Sequence, residues 1–356
     1  MGRMQRSFSE GSGERLLLLP PLAIGGLCLS LSLLLAFGCD SDPGAGDSDS
    51  MESHEETKEP DSPSVDNTRE DAANYIGAVE FSADLRPNIE DASVPFVYFE
   101  EQTYYLYMCK GTQGHHVATS SDGVVFSTPK PTGIGFCGLN FVKLSNDNYR
   151  LFTTSRESTD TGETIHCKSA TFSNLENLGP SHRSEEGVQF GSSGPPCNDF
   201  IGTPSVVRLS DNDSSVRVYF SCGQPSHMAG FTSNASGTEF GGGEILIEQA
   251  IDAEIHRLSD GSYRVFHTVM NPDDHPDIRP FKPQEIKTAV SADGLVWESQ
   301  GTIADVDSVA SSLGESITVL ADPSAVLLED GSWRIYFGNA TEHTDGGGIY
   351  SFVWRP

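Results

Sequence analysis

Residues 322–338 read DPSAVLLEDGSWRIYFG. Two runs of alternating apolar residues flank Glu-Asp-Gly, the signature of a β-hairpin closed by turn-forming residues. The same grammar occurs four more times: DASVPFVYFEEQTYYLYMC at 91–109, GLNFVKLSNDNYRLFTT at 138–154, TPSVVRLSDNDSSVRVYFSC at 203–222 and DAEIHRLSDGSYRVFHT at 252–268. The hairpins start at 91, 138, 203, 252 and 322, so they recur every 47 to 70 residues, the spacing of propeller blades. No amphipathic helical window of useful length occurs beyond Asn74.

A second element follows three of the hairpins: ATSSDGVVF at 118–126, FTSNASGTEF at 231–240 and AVSADGLVW at 289–297. Each is a strand, a turn around Gly and an aromatic residue, and the aromatic is expected to pack between blades. The fifth unit reaches Pro356 after three strands, so its fourth is expected from residues 76–82, which closes the ring and removes free edges. Residues 75–356 therefore read as an all-β, five-bladed β-propeller closed by the N-terminal strand of the domain.

The segment ahead of it is an address. Arg3, Arg6 and Arg15 precede an apolar run from Leu16 to Phe37, and Gly38 and Cys39 follow. A charged region, an apolar region and a small residue before the cut make a secretory signal peptide over residues 1–38. Leu35-Ala36-Phe37-Gly38-Cys39 resembles a bacterial lipobox, which implies lipid attachment at Cys39 and a place in the cell envelope, periplasmic or at the surface. An uncleaved transmembrane anchor is the alternative, since 22 residues span a bilayer. Residues 39–74 hold 12 acids, 2 bases and no aromatic, and are expected to form an extended, disordered tether.

Segment 1–38 carries +1 and 39–74 carries −10, which leaves −20 on residues 75–356 out of a total of −29. An acidic domain is no partner for nucleic acid. Of the 7 cysteines, Cys109, Cys137, Cys167, Cys197 and Cys222 lie in the domain, enough for two disulfides with one thiol left over. Their spacing includes no C-x-x-C pair, so staples are expected rather than a metal cage.

Propeller topology brings the starts of the inner strands and the loops after the second strands to one mouth. Those loops carry His115, His116, His166, His227, His275 and His343, with His267 beside them. His116, His166, His227, His275 and His343 are the expected substrate-binding residues, against the alternative that the loops are merely long and polar. Asp91, Asp252 and Asp322 begin inner strands, and Glu254 stands two residues past Asp252, on the same face of its strand. Carboxyls converging on a concave mouth raise each other's pKa, and Asp91, Asp252, Glu254 and Asp322 are the candidate catalytic set. Capping of strand starts is the alternative role for the Asp residues.

The Asp-Pro-Ser start, the aromatic-rich second strand and the Ser-x-Asp-Gly-x-x-aromatic turn resemble the arabinanase-like glycoside hydrolases of family 43. Levansucrases and invertases share that fold. The resemblance implies a base or nucleophile at Asp91, the first-blade position. It implies a tuning carboxylate in the second blade, where this chain has Gly138 and Asn140, and a general acid in the third, where it has Thr203-Pro204-Ser205. Glu254 would then serve as the acid, one blade later.

Two functions follow. The first is a glycosidase using Asp91 and Glu254, with Asp252 and Asp322 tuning, and with Tyr98, Phe136, Phe200 and Phe281 offering sugar-stacking surface. The second is a non-catalytic propeller binding a glycan or a protein partner through the same mouth. Neither requires a metal or cofactor, although NPDDHPDIRPFKP at 271–283 is an oxygen-rich loop able to offer ligands to Ca²⁺. A monomer is expected. Gly-rich phosphate loops, G-x-S-x-G and H-E-x-x-H are missing from the sequence.

Overall fold

The computed structural model of the chain describes residues 75–81, 87–135, 137–145, 148–159, 162–191, 196–197, 200–223, 226–270, 283–341 and 347–356. Strand β1 (Ala78–Phe81) comes first in the chain and last in the ring. Blade one is β2 (Ser93–Glu100), β3 (Thr103–Cys109), β4 (His115–Ser120) and β5 (Lys130–Pro131). Blade two is β6 (Leu139–Ser145), β7 (Asn148–Thr159), β8 (Gly162–Phe172) and β9 (Arg183–Gly191). Blade three is β10 (Ile201–Arg208), β11 (Val216–Cys222), β12 (His227–Thr232) and β13 (Glu244–Glu248). Blade four is β14 (Ala250–Arg257), β15 (Tyr263–Met270), β16 (Pro283–Ser291) and β17 (Glu298–Asp305). Blade five is β18 (Ile317–Leu327), β19 (Trp333–Thr341), β20 (Gly348–Arg355) and, as its outer strand, β1.

The chain is thus an all-β five-bladed propeller of antiparallel four-stranded sheets. Its ring closes as the sequence requires: β1 pairs with β20 from Ala78↔Arg355 to Phe81↔Phe352. The Trp354 indole N–H reinforces the join by donating to the Ile76 carbonyl at 2.8 Å. Between blades four and five lies α1 (Val306–Leu313). Asp305 and Ser308 cap its start reciprocally, and Gly314 ends it in the left-handed conformation at φ 71°.

Apolar packing falls into five clusters, one at each junction of neighbouring blades. At the junction of blades four and five, Phe266, Trp333 and Trp354 are buried together. The recurring Gly turns supply the polar counterpart. Tyr336 of blade five donates its hydroxyl to the Gly123 carbonyl of blade one at 2.7 Å, and Tyr219 of blade three donates to Gly294 of blade four at 3.1 Å. Arg150 of blade two reaches the Gly237 carbonyl of blade three at 2.8 Å. The aromatic that ends each turn packs on the preceding blade: Phe126 on Tyr336, Trp297 on Tyr219 and Phe240 on Phe152, with ring centroids 5.9, 6.3 and 6.0 Å apart.

Disulfides join Cys109 to Cys137 and Cys197 to Cys222, with Cα atoms 5.4 and 4.5 Å apart. The remaining thiol is Cys167, buried in the apolar junction of blades two and three, where desolvation pushes its pKa far up. Among the described residues no helix is long and apolar enough to cross a membrane.

The turn glycines make a direct test. Gly123 has φ 71°, and a Cβ there would lie 2.8 Å from the Tyr336 hydroxyl oxygen and 3.0 Å from the Tyr104 ring. Tyr336→Phe is expected to lower the free energy of unfolding by about 1–2 kcal/mol, because the Gly123 carbonyl loses its donor. Gly123→Ala is expected to cost more, since it adds backbone strain and a clash to the same loss. Urea unfolding that ranks Gly123→Ala level with the wild type would remove the turn from the set of inter-blade locks.

Candidate functional site

Every blade places a residue at the same point of its inner strand, where the strand enters the central channel. Aligning the second strands on Tyr107, Phe152, Tyr219, Phe266 and Tyr336 puts Phe96, Asn140, Ser205, Glu254 and Ser324 opposite them. Two residues earlier stand Val94, Gly138, Thr203, Asp252 and Asp322. The backbone is left-handed at four of these, with φ 51° at Val94, 86° at Gly138, 50° at Asp252 and 51° at Asp322. Register shifts between Ile251 and Glu254 and between Ala321 and Ser324 mark β-bulges that re-aim Asp252 and Asp322. Positive φ at Val94, Asp252 and Asp322 is strained backbone for residues other than Gly.

The later set of residues builds a belt. Ser205 accepts from the Ile255 N–H of the next blade at 2.9 Å, and Ser324 accepts from the Val97 N–H at 2.8 Å. Glu254 does the same with Ala325 N–H at 3.1 Å, and its second oxygen lies 3.3 Å from His256 Nε2. Its carboxylate is therefore committed to the join between blades four and five, the place that serine fills at two other junctions. It also lines the central cavity together with Asp252 and Asp322, where the sequence placed it.

The earlier set carries the chemistry. Asp252 and Asp322 both line a central cavity, which Val94 and Phe96 wall on one side and Asn140 and Thr203 on another. The water-sized space inside is about 20 Å³, room for about one water molecule. Burial raises the Asp252 carboxyl to about 6, and hydrogen bonds from the Thr268 hydroxyl and the Asp322 backbone N–H partly oppose that rise. Asp322 is pushed well above the ordinary carboxyl range, first by burial and then by the neighbouring Asp252 charge. The donors to Asp252 favour its ionised form, so the proton resides on Asp322.

Asp91 is elsewhere. It is exposed, precedes β2 and lies outside the cavity lining, where Val94 stands in the first-blade position. The strand pairing makes Val94, three residues further on, the equivalent of Asp252 and Asp322. Pro95 was the available signal, since it aligns with Pro204 and Pro323.

The histidines do not converge either. His116 is 5% exposed and contacts the Gly114 carbonyl at 3.2 Å, while His227 is buried at the start of β12. His115 and His267 are buried, and desolvation lowers them to about 3 and about 4. His166 lies beside Glu157 at 3.3 Å and lines no part of the cavity. The loop histidines sit at or inside the starts of the third strands, so packing under the blade takes them from the rim. His275, His343, Phe136, Phe281, Cys39 and the loop 271–282 lie outside the described residues. Among the described residues no group of three or more His, Cys, Asp or Glu is placed to hold a metal ion.

No protein-family model and no curated protein matches the sequence. Solved structures do. An endo-1,4-β-xylanase from Bacteroides thetaiotaomicron is 15% identical over 75% of this chain and 91% of its own, with a TM-score of 0.53. An endo-arabinase from the same organism is 13% identical over 79% and 97%, with a TM-score of 0.52. A thermostable family-43 glycoside hydrolase is 16% identical over 79% and 90%, at 0.51. The fold is the five-bladed propeller of these glycoside hydrolases.

The paired carboxyls set a pH signature. Native protein holds a proton at Asp252 up to about pH 6, whereas an unfolded Asp releases it near pH 4. Folding is thus favoured below that window and penalised by this group as pH rises through it. Asp322→Asn removes the mutual repulsion. Its gain in melting temperature over the wild type is expected to be larger at pH 8 than at pH 4. An equal difference at both values would mean the two carboxyls do not interact.

Proposed function

We propose that this chain processes a glycan at the central mouth, with Asp322 as proton donor and Asp252 as base. The observation that carries the reading is the carboxyl pair itself: two acids at one mouth, both pushed above the ordinary carboxyl range by burial, which favours keeping a proton between them near neutrality. Glycosidic cleavage needs those two roles, an acid for the leaving oxygen and a base for the attacking water. The glycoside-hydrolase propeller fold supports a glycan as the ligand class, as an analogy of architecture. The acid falls on blade five and the base on blade four, while the first three blades present Val94, Gly138 and Thr203 at that level.

That same observation supports a second reading, a propeller that binds a glycan without cleaving it. Three of five blades offer no carboxylate, Glu254 is held in the inter-blade belt, and the cavity admits about one water.

Hydrolysis of arabinan, xylan, fructan and aryl-glycosides by the full chain separates the two. Asp252→Asn and Asp322→Asn are each expected to lower kcat by about 10²–10⁴-fold. Glu254→Gln, which keeps an acceptor for Ala325 N–H, is expected to stay within a few-fold. Turnover should rise through about pH 6 as Asp252 ionises, and fall again where Asp322 loses its proton. Binding with no turnover in the wild type replaces the first reading by the second.

The same proposal places the protein in the cell envelope as a lipid-anchored monomer, held through Cys39 by the acidic segment 39–74. Metabolic labelling with a fatty acid should mark the wild type and not Cys39→Ser. Label on both would refute the anchor.

A further inference from the structure

The geometry points to the innermost cavity as a subsite for a primary ammonium group, carried by an amine-bearing sugar residue of the bound glycan. This rests on the second reading above, a mouth that binds a glycan without cleaving it.

Size is the first argument. A water-sized space of about 20 Å³ takes a –NH₃⁺ group, whereas a pyranose ring, an N-acetyl group or a carboxylate needs more room. The sugar ring would then sit above the cavity with only its amine inserted.

Chemistry is the second. An ammonium brings three N–H donors and no acceptor. Asp252 and Asp322 supply acceptors on one side of the cavity. Across from them stands Asn140, which is 6% exposed and has no hydrogen-bond partner for its side chain among the described residues. Its amide opens onto the cavity and keeps contact with the space inside it, free to take a ligand there. Its carbonyl oxygen can complete the acceptor set, with the Thr203 hydroxyl beside it. Among the described residues no Lys or Arg lines the cavity.

Electrostatics is the third. Two neighbouring carboxyls cannot both ionise in a poorly solvated site without a cation between them. An inserted ammonium supplies that charge and releases the shared proton. A neutral hydroxyl in the same place cannot. Discrimination between an amine and its acetylated form therefore comes from charge and volume together.

The test is titration calorimetry of the full chain with three oligosaccharides: a β-1,4-glucosamine tetramer, its fully N-acetylated counterpart and a xylan oligomer. The amine-bearing tetramer should bind at least about tenfold tighter than the acetylated one. Asp322→Asn and Asn140→Leu should each abolish that preference, while Asp211→Asn, on an exposed hairpin, should leave it intact. Loss of preference in Asp211→Asn as well would reveal only the attraction of a cationic sugar to an acidic protein, and would overturn the subsite. Equal binding of all three sugars would overturn it too, and leave the glycan reading standing. Absence of binding and turnover with every sugar would remove both.

Discussion

Five sheets around an axis leave five inner edge strands, and each such strand has backbone N–H groups that its own blade cannot satisfy. At three junctions this constraint is met by a side chain reaching across: Ser205 to Ile255, Glu254 to Ala325 and Ser324 to Val97. Much else follows from that belt. It fixes how closely those neighbouring blades approach the axis, and at each of the three junctions it takes one inward-facing side chain out of circulation. Glu254 is captured by it. The side chains left for chemistry are those two residues earlier, which the bulges turn toward the channel.

The carboxylates of this domain divide by what surrounds them. Asp122, Asp293 and Asp330 accept hydrogen bonds in exposed turns, which hold their pKa values below the ordinary range. Burial outweighs the hydrogen bonds at Asp252, and at Asp322 burial is joined by the Asp252 charge, so both go the opposite way. One residue type thus makes both the structural turns and the reactive mouth. The sequence alone draws no line between a turn Asp and a channel Asp beyond the neighbours each has.

The fold was legible because its information is local and repeated. Alternating runs, Asp-Gly turns and a three-stranded last unit give the blades, the closing strand and the role of Phe126 and Trp297 without any knowledge of distant contacts. The site was legible only in part. Asp252 and Asp322 follow from the repeat, yet Asp91 does not stand with them, because the first repeat aligns on its Pro, at Val94-Pro95, and not on its Asp. Burial of His116 and His227 was equally hidden, since a polar residue in a long loop reads the same whether it lines a rim or packs beneath one. Asn140 drew attention only as a stand-in for a missing carboxylate. What it faces is a property of the closed ring.

Closure by the first strand also sets an order in time. Ile76 and Trp354 meet across 278 residues of sequence, so the last blade stays incomplete until the final residues of the chain are available. During synthesis the four complete blades can form as they emerge, and the two disulfides, spanning 28 and 25 residues, can form with them. Strand β1 emerges first and has no partner strand until then, when Val79 and Phe81 come opposite Trp354 and Phe352. A chain truncated by a few residues at its C-terminus keeps every residue of the mouth and loses the clasp, leaving an open sheet edge that invites pairing with another copy.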